Sequence, residues 1–257
     1  MEPKTIVITG ASSGIGAALA LALGADDHRL VLAARRRDEL EAVGRRAGAQ
    51  VIPIVTDVTR RSDVEHLRDK AIATFGRVDI WVNNAGRGIG RQALDLTDAE
   101  FDEIMAVNVK SALYGMQAIV PHFLERGRGQ IINISSFLSR VPLATYRSAY
   151  SAAKAALNAL TANVRMDLAR INPNVHVTLV MPGLVATDFP KHALGGTPAS
   201  ASRSRAAQLT QTPEQVADAI VAAIREPVAE VYTQPEQPAV VQRYFADVAA
   251  FERGLMA

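Results

Sequence analysis

The stretch TIVITGASSGIG, residues 5–16, decides the fold of this chain. Its first five residues form an apolar, β-branched run typical of a buried strand, and the turn leads into an apolar helical pattern. Gly10 permits a tight turn, Gly14 lets the backbone approach a pyrophosphate, and Gly16 allows close helix-to-strand packing. Amides and the positive dipole at the helix start favour phosphate. An ordinary Gly/Ser turn is the alternative, but the position between strand and helix favours a dinucleotide-binding fold.

The phosphate loop of ATPases and GTPases has a different pattern, in which a lysine and then serine or threonine follow the glycines. Here Gly16 is followed by Ala17 and Ala18. We therefore do not expect an ATPase or a GTPase.

Short apolar runs alternate with longer helical patterns along the rest of the chain. Residues 62–65 and 97–100 read as capping boxes, and Thr212 with the following proline predicts another helix start. Helices are predicted from Gly14, over about 37–47, from 62, from 97 to about Arg126 with a break, over about 147–171, and from 213. Strands are predicted at 5–9, 29–34, 51–58, 78–86, 130–135, 176–181 and 230–233.

This alternation predicts an α/β fold. Strands that are apolar on both faces belong to a parallel sheet that helices cover on both sides. No repeat or linker divides the chain, and an apolar content of 49% in 257 residues is ample for one core. We expect a single Rossmann-type domain over residues 1–257, with a doubly wound parallel sheet of about seven strands.

The composition bounds the setting and the partners. Cysteine is absent, which excludes disulfides and thiolate zinc sites and favours a cytoplasmic protein, and we predict no metal site. The first apolar run begins by residue 5, which leaves no room for a signal peptide, and the most apolar helix is too short to span a bilayer. A net charge of +2 with dispersed arginines gives little support for binding of nucleic acid.

The end of the second strand indicates which cofactor the turn would bind. An NAD-preferring site wants a carboxylate there, whereas this chain has Ala34 followed by Arg35, Arg36 and Arg37. Arginine offers a planar fork for a phosphate, so the pattern favours NADP(H) over NAD(H). The alternative is a solvated charge run at a helix start. Asp38 is expected to cap that helix.

Tyr150 and Lys154 are four residues apart and therefore share one face of a predicted helix. A phenol titrates near pH 10, so it exchanges protons at neutral pH only if its phenolate is stabilised, as the Lys154 ammonium would do. Tyr150 is thus a candidate general acid or base towards a carbonyl or an alcohol. By itself, a tyrosine with a lysine four residues later usually lies on an exposed helix face. It indicates a catalytic site here because the glycine turn is also present. Tyr146 has no such lysine and is expected to line the pocket.

Three motifs occur in order: TGASSGIG at 9–16, NNAG at 83–86 and YSAAK at 150–154. With them the chain resembles a classical short-chain dehydrogenase/reductase over residues 4 to about 190. The resemblance implies hydride transfer between a nicotinamide cofactor and a carbonyl or secondary alcohol, with Tyr150 as general acid or base, and the arginines after the second strand favour NADP(H) as that cofactor. It also implies catalytic roles for Ser136, Lys154 and Asn108, of which Asn108 would hold a water that links the lysine to solvent.

The resemblance further implies the contacts with the cofactor. Asn83 and its neighbours would stabilise the sheet and border the adenosine ribose, Asp57 would touch the adenine, and Lys154 would bind the nicotinamide ribose. Residues 182–187 would flank the nicotinamide. Together with the glycine turn and the arginines, these residues make up the expected cofactor-binding set: Thr9, Gly10, Ser12, Ser13, Gly14, Ile15, Gly16, Arg35, Arg36, Asp57, Val58, Asn84, Ala85, Gly86, Tyr150, Lys154, Pro182, Gly183, Val185 and Thr187.

The identity of the catalytic serine stays open at this point. In most members of the family it lies thirteen residues before the tyrosine, where this chain has Phe137. Alignment on the strand end selects Ser136, with one extra residue in the loop, and its hydroxyl would steady the oxyanion. Ser135 should point to the opposite face of the strand and is the alternative. Ser139 replaces a glycine that is frequent in the family, which leaves the course of the loop open.

The loop after this serine is apolar, which suggests a hydrophobic carbonyl or alcohol as substrate, although packing without substrate contact is the alternative. A substrate-loop region is predicted at about 186–211. Within it GGTPASASRSR, residues 195–205, is either a lid hinged at Gly195 and Gly196 or a disordered surface loop. The apolar residues are Phe137, Leu138, Val141, Pro142, Leu143 and Tyr146.

The resemblance implies a homo-oligomer that pairs through the helix carrying Tyr150. Small residues in AYSAAKAALNALTANV, 149–164, would allow close approach, but alanine is also a good helix former. The glycine-rich ending of many tetrameric members is absent, so we favour a dimer. Two other functions stay open: a non-catalytic NADP(H) sensor or scaffold of the same fold, and an extended-type epimerase or dehydratase. The intact catalytic set argues against the first, and the glycine spacing and chain length against the second.

Overall fold

A computed structural model describes residues 2–196 and 210–256 of the chain. Within these residues seven strands form one sheet: β1 Thr5–Thr9, β2 Arg29–Ala34, β3 Val51–Val55, β4 Ile80–Asn83, β5 Gly129–Ile134, β6 Val175–Met181 and β7 Glu230–Tyr232. Their order is β3-β2-β1-β4-β5-β6-β7, and every pairing is parallel. This arrangement confirms the expected Rossmann-type, doubly wound α/β fold.

Helices cover both faces of the sheet. They are α1 Gly14–Ala25, α2 Arg37–Ala47, α3 Arg61–Phe75, α4 Asp98–Met105, α5 Ser111–Glu125, α6 Ser148–Ile171, α7 Pro213–Arg225, α8 Gln237–Ala246 and α9 Val248–Met256. One core cluster buries Leu19 of α1 and Ile220 of α7 against the sheet, and a second buries Leu67 of α3 and Phe123 of α5. Helices therefore shield both faces of the central strands from solvent, which explains why these strands are continuously apolar. Every helix in the described ranges is too short or too polar to cross a membrane.

Two helix starts are confirmed in atomic detail. The Thr97 hydroxyl accepts from the amide of Glu100 at 3.2 Å, and the Glu100 carboxylate accepts from the amide of Thr97 at 3.2 Å. Thr212 and Gln215 form the same reciprocal pair at the start of α7, with proline at the first helical position. Each box satisfies two amides that the helix itself leaves unbonded.

Two other expected caps are wrong. α3 begins at Arg61, so Ser62 already lies inside its first turn and no side chain caps the helix. Asp63 accepts instead from the amide of Asp57 at 3.2 Å, which ties the helix start to the preceding turn. α2 begins at Arg37, so Asp38 does not cap it but lies in its first turn, where a negative charge favours the helix dipole.

Strand ends and the helix break position the site. β3 and β4 end at Val55 and Asn83, earlier than predicted, because the chain turns there and leaves the sheet. The break in the long helical region is a π-helical segment, Ala106–Lys110, between α4 and α5, and it holds the buried Asn108. β1 and β4 are sheet neighbours that are not consecutive in sequence, so a crevice opens at their carboxyl ends.

Candidate active site

The glycine turn between β1 and α1 packs directly on the segment that follows β4. Gly10 has a φ of +67°, and a Cβ there would lie 2.8 Å from the Cα of Ala85, so both conformation and space require glycine. The Asn84 side-chain amide donates to the carbonyls of Thr9 at 2.9 Å and Gly10 at 3.2 Å. The Thr9 hydroxyl accepts from the amides of Asn84 and Ala85. The two motifs thus form one cradle at the crevice.

Asn83 lies on the other side of the strand, in the core. Its Oδ1 accepts from the Trp81 indole at 2.8 Å, and its Nδ2 donates to Asn133 Oδ1 at 2.8 Å and to the carbonyl of Ala112 at 3.3 Å. Successive strand residues alternate in direction, so Asn83 faces away from the cradle. The Asn83 side chain therefore joins β4 to β5 and α5 inside the core.

Arg36 reaches from the end of β2 to the glycine turn. Its Nη2 donates to the hydroxyls of Ser13 at 2.7 Å and Ser12 at 3.0 Å, and Nη1 lies 3.5 Å from Glu39. A guanidinium is thereby held beside the N-terminus of α1. Phosphate groups favour this kind of place, because a helix N-terminus and an arginine fork both stabilise negative charge.

Asp57 follows β3 and is fixed in a tight turn. Its Oδ1 accepts from the amide and the hydroxyl of Thr59 at 3.0 and 2.7 Å. Burial raises the pKa of Asp57, but these two hydrogen bonds and the charges of Arg35 and Arg60 hold it below its usual value. Asp57 is therefore a carboxylate at neutral pH. The neighbouring Val58 packs against the core and is partly buried.

Tyr150 and Lys154 lie in the first two turns of α6, at the same edge of the sheet. The Lys154 ammonium donates to the carbonyl of Ile134 at 2.9 Å and lies 5.7 Å from the centroid of the Tyr150 ring. Burial lowers the pKa of Lys154 to about 7, because the side chain is only 3% exposed and its ammonium loses hydration. Lys154 is therefore only partly charged near neutral pH.

Opposing effects act on the pKa of the Tyr150 hydroxyl. Burial raises the pKa of Tyr150 to about 12, while a hydrogen bond with Ser136 and the positive charge of Arg147 lower it. Lys154, which the sequence predicts to stabilise the phenolate, is only partly charged near neutral pH and donates to the carbonyl of Ile134 at 2.9 Å. Tyr150 is therefore protonated at neutral pH and can donate its proton.

The two candidate serines face different surroundings. Ser135 donates to Asn158 Oδ1 at 2.6 Å and lies 3.3 Å from the carbonyl of Lys154, inside the packing of α6 on the sheet. Ser136 accepts from the amide of Leu138 at 3.2 Å, and its hydroxyl lowers the pKa of Tyr150. The strand alternation predicts opposite directions for the two hydroxyls, and the two have different hydrogen-bond partners.

Ser139 gives the loop after β5 its course. Its hydroxyl donates to the carbonyl of Ser136 and accepts from Asn158 Nδ2 at 2.7 Å. The amide of Phe137 donates to the carbonyl of Pro182 at 2.8 Å, which ties the loop to the segment after β6. A serine at 139 therefore supplies a side-chain bond at the position where the family often has glycine.

Asn108 and Lys154 enclose Gly86 from two sides. A Cβ on Gly86 would lie 2.9 Å from Asn108 Oδ1 and 3.5 Å from Lys154 Nζ. Asn108 Nδ2 donates to the carbonyls of Arg87 at 2.9 Å and Ile104 at 3.0 Å, and Oδ1 accepts from the amide of Arg87 at 3.3 Å. These bonds fix the end of the NNAG segment beside Lys154.

The segment after β6, residues 182–187, contacts the glycine turn near Gly14. A Cβ on Gly14 would lie 3.1 Å from the Thr187 methyl carbon, and one on Gly183 would collide with Gln234 Oε1. Val185 packs against the core next to α1. Residues 182–187 thus lie along the same crevice as the glycine turn, whereas residues 197–205 of the predicted lid lie outside the described residues.

Two residues of this site were not singled out from the sequence. The Phe189 ring meets the Tyr150 ring edge-on, with centroids 5.6 Å apart, and Arg147 is buried at 8% exposure with Nη1 donating to the carbonyl of Ile89 at 3.0 Å. Neither belongs to a motif. The available signal for Arg147 was a charge among small and apolar residues, one helical turn before Tyr150.

The apolar loop after β5 divides into a buried and an exposed part. Phe137 and Val141 are buried, so they pack as loop wall. Pro142 and Leu143 are exposed, the latter to 42%. Phe137 and Val141 therefore fit the packing interpretation of this loop, and Pro142 and Leu143 fit the substrate-contact interpretation.

Comparison with known proteins agrees with this geometry. The sequence model of the family described as short chain dehydrogenase matches residues 4–194. An uncharacterized oxidoreductase of Staphylococcus aureus (strain N315) is 33% identical over 228 residues, which cover 88% of this chain and 93% of the relative. The oxidoreductase YxnA of Bacillus subtilis is 33% identical over 93% of this chain and 68% of its own length.

Solved structures extend the likeness to three dimensions. A short chain dehydrogenase/reductase from Burkholderia phymatum in complex with NAD has a TM-score of 0.86 at 27% identity, over 96% of this chain and 95% of that chain. An alcohol dehydrogenase from Thermococcus sibiricus complexed with 5-hydroxy-NADP has a TM-score of 0.77 at 30% identity, over 90% and 96%. The fold, the order of the motifs and the family match agree: this chain belongs to the short-chain dehydrogenase/reductase family of oxidoreductases.

Proposed function

We propose that this protein is an NADP(H)-preferring oxidoreductase that interconverts a carbonyl and a secondary alcohol on a hydrophobic small molecule. The observation that carries the proposal is the grouping of three side chains beside the glycine cradle: Ser136, which lowers the pKa of Tyr150, Tyr150 itself, and Lys154, whose ammonium lies 5.7 Å from the centroid of the Tyr150 ring. A binding protein needs the cradle but has no use for a phenol with an adjoining hydroxyl and ammonium.

The residues at the crevice fit a nicotinamide dinucleotide. The Gly10 and Gly14 positions leave a backbone surface that a side chain would fill, and Arg36 with Ser12 and Ser13 adds donors for phosphate. Residues 182–187 and Lys154 would hold the nicotinamide end. When bound, the cofactor supplies or accepts the hydride and, in its oxidised form, adds a positive charge.

The proton is handled by the chain itself. In the reducing direction Tyr150 donates its phenolic proton to the substrate oxygen, and Ser136 donates a hydrogen bond that stabilises the negative charge developing on that oxygen. A pKa of Tyr150 of about 12 keeps the proton in place at neutral pH until the oxygen becomes basic enough to take it. In the oxidising direction the same phenol must first lose its proton.

Lys154 and Asn108 support this exchange. The pKa of Lys154, lowered to about 7 by burial, lets its amine give up and regain a proton near neutral pH. Asn108 holds the backbone of Arg87 and thereby the NNAG segment beside the lysine. We assign Lys154 to the return of a proton to Tyr150, and Asn108 to the alignment of that relay.

The preference for NADP(H) rests on Arg36. Ala34 ends β2 where an NAD-preferring site would have a carboxylate, and the guanidinium of Arg36 is held by two serines of the glycine turn. The two structural relatives carry different cofactors by their descriptions, one NAD and the other a modified NADP, so the family alone does not choose. The arginine and the missing carboxylate favour the 2′-phosphate.

The apolar surroundings of Tyr150 support a hydrophobic substrate. The Phe189 ring contacts the Tyr150 ring edge-on, and Pro142 and Leu143 expose apolar surface on the loop that follows Ser136. A small number of polar groups in an apolar wall is the usual composition of a site for an apolar small molecule. The three polar groups here would be Ser136, Tyr150 and Lys154.

We also propose a homodimer that pairs through α6. Ala152, Ala155 and Ala159 are exposed at intervals of three and four residues, so they form one face of that helix. Small side chains allow a second copy of the helix to approach closely. Met166 extends the same face and is 55% exposed.

Turnover with a panel of carbonyls and alcohols tests the function. With NADPH or NADP⁺, the wild-type protein should turn over apolar ketones or secondary alcohols, and Tyr150→Phe should lose turnover while it still binds the cofactor. Tyr114→Phe serves as the control, because it removes the hydroxyl of a tyrosine on α5 whose ring stacks on Arg61. Full activity of Tyr150→Phe contradicts the mechanism, and a panel without turnover favours the sensor or scaffold alternative.

A further inference from the structure

Asn158 lies on α6, one turn beyond Lys154. Tyr150, Lys154 and Asn158 therefore follow one another at intervals of four residues on the same face of the helix. The Asn158 side chain is buried, at 8% exposure, and it lies outside all three sequence motifs. It extends the row of candidate catalytic side chains into the packing between α6 and the loop after β5.

Both ends of the Asn158 amide are bonded to residues on either side of Ser136. Oδ1 accepts from the hydroxyl of Ser135 at 2.6 Å, and Nδ2 donates to the hydroxyl of Ser139 at 2.7 Å. Ser135 directly precedes Ser136, and Ser139 follows it by three residues. One side chain of α6 thus holds the loop before and after the candidate catalytic serine.

The direction of these hydrogen bonds fixes the peptide group of Ser136. A serine hydroxyl has one proton to donate. Because Asn158 donates to Ser139, the proton of Ser139 is left for the carbonyl of Ser136. The Ser139 amide donates to the same carbonyl at 3.0 Å. Without the Asn158 donor the Ser139 hydroxyl can rotate, and the Ser136 carbonyl then has its backbone bond alone.

Two other contacts of this loop are made at the end of the sheet. The amide of Phe137 donates to the carbonyl of Pro182 at 2.8 Å, and an ion pair farther along the loop reaches β7. Asn158, in contrast, joins the loop to the helix that carries Tyr150. The placement of Ser136 relative to Tyr150 therefore depends on the contacts of Asn158.

Such a series of polar groups contributes direction more than stability. Hydrogen bonds inside the protein replace hydrogen bonds with water, so a buried amide with two hydroxyls adds little net stability over apolar packing of the same volume. A hydrogen bond is directional, however, and it fixes orientation as well as distance. A reaction needs that orientation, because a displacement of about 1 Å in a reacting group can cost about 100-fold in rate.

We propose that Asn158 is a positioning residue: through Ser139 it holds the peptide group of Ser136 so that the serine hydroxyl faces Tyr150. This role rests on the proposed function of Ser136 and Tyr150 towards the substrate oxygen. Ser135 anchors the other end of the Asn158 amide, and its loss leaves the bond between Asn158 and Ser139 in place. Asn158 therefore acts on kcat through Ser136 and leaves the cofactor site unchanged.

A kinetic cycle tests the proposal. Asn158→Leu keeps a side chain of similar size without its hydrogen bonds, and it should lower kcat by about 10-fold or more with an unchanged Kd of NADPH. In a Ser136→Ala background the same change should lower kcat no further, because the hydroxyl that Asn158 positions is already absent. Gln117→Leu removes an exposed amide on α5 that bonds Arg61, and it should leave kcat as in wild type.

Ser139→Ala removes the same contact from the side of the loop. It should lower kcat to the level of Asn158→Leu, and the double variant should be no slower than either single variant. Ser139 is only partly buried and loses a single hydroxyl, so Ser139→Ala takes the place of Asn158→Leu if that variant fails to fold.

Amide hydrogen exchange gives a readout that needs no turnover. The amide of Leu138 donates to the Ser136 hydroxyl at 3.2 Å, so its exchange rate reports whether that hydroxyl stays in place. Exchange at Leu138 should be about 10-fold faster in Asn158→Leu and in Ser139→Ala, while the amides of β1 keep their protection.

The role of Asn158 is refuted by a wild-type kcat in Asn158→Leu, by an equal loss of kcat with and without the Ser136 hydroxyl, or by unchanged exchange at Leu138. The second of these results would make Asn158 a residue of the helix packing only. Failure of the proposed oxidoreductase function has a different signature, namely absence of turnover in the wild-type protein, and exchange at Leu138 then still shows whether Asn158 holds Ser136.

Discussion

The guanidinium of Arg36 lies 2.7 Å from the hydroxyl of Ser13, and this contact joins the end of β2 to the turn that precedes α1. In a dinucleotide-binding fold the glycine turn binds the pyrophosphate and the end of the second strand binds the adenosine ribose. The Arg36 side chain therefore links the two segments that hold this part of the cofactor. The cation is in place before any phosphate arrives, so little side-chain ordering remains to be done on binding.

Removal of Arg36 should separate the two nicotinamide cofactors. Arg36→Ala should weaken binding of NADPH by about 10-fold or more and leave NADH almost unchanged, because a charged hydrogen bond to a phosphate is lost only with NADPH. Fluorescence titration of both cofactors measures the ratio. Arg37→Ala removes a neighbouring guanidinium that pairs with Glu41 at the surface and should change neither affinity. Equal affinities of the wild-type protein for NADPH and NADH would refute the preference.

The two serines should give opposite phenotypes. Ser136→Ala should lower kcat by about 100-fold with little change in cofactor affinity, because it removes a donor to the substrate oxygen. Ser135→Ala should keep most activity but destabilise the fold by about 1–2 kcal/mol, because it leaves Asn158 Oδ1 without its buried donor. Steady-state kinetics and urea unfolding of both variants measure the contrast, and a reversed pattern would make Ser135 the catalytic serine.

Lys154 should make stability depend on pH in an alkaline window. Its pKa is about 7 in the folded chain and is restored to its ordinary value of 10.5 on unfolding, so the unfolded state binds more protons between these values. Stability should therefore rise with pH from about 7 towards 10 through this group. Lys154→Met removes the buried ammonium, and its gain in unfolding free energy over wild type should be larger at pH 7 than at pH 9.5. A gain that is independent of pH would contradict the lowered pKa.

An exposed lysine provides the control for this measurement. Lys70 lies on the surface of α3, so Lys70→Met should leave the pH dependence of unfolding as in wild type. Urea unfolding at several pH values, followed by circular dichroism, gives the slopes for all three proteins.

A charge on α6 should dissociate the proposed dimer. Light scattering should give the wild-type protein about twice the chain mass of 27.5 kDa, and Ala159→Arg should give the chain mass, because a large cation in a close helix pair costs both packing and desolvation. Ala222→Arg introduces the same side chain at an exposed position of α7 and should leave the mass as in wild type. A monomeric wild-type protein would refute the pairing.

The sequence by itself determined the architecture and selected Tyr150 and Lys154 as the candidate proton-exchanging pair. Apolar runs with the period of buried strands, and a glycine turn between the first strand and helix, depend on neighbours within a few residues, so they can be read without a structure. The capping boxes at Thr97 and Thr212 are local in the same way. Where local patterns competed, as at Ser62 and Asp38, the packing of the helix start decided against them.

Only the tertiary structure decided the surroundings of the candidate catalytic groups and which of the two serines lies beside the phenol of Tyr150. Ser135 and Ser136 are neighbours of the same residue type, so a local pattern hardly separates them. Asn158, more than twenty residues away, accepts a hydrogen bond from Ser135, whereas Ser136 lies beside Tyr150. Arg147 carries no motif, and its burial and its hydrogen bond to the carbonyl of Ile89 come from the tertiary structure. Burial and long-range contacts set pKa values, and a linear pattern contains neither.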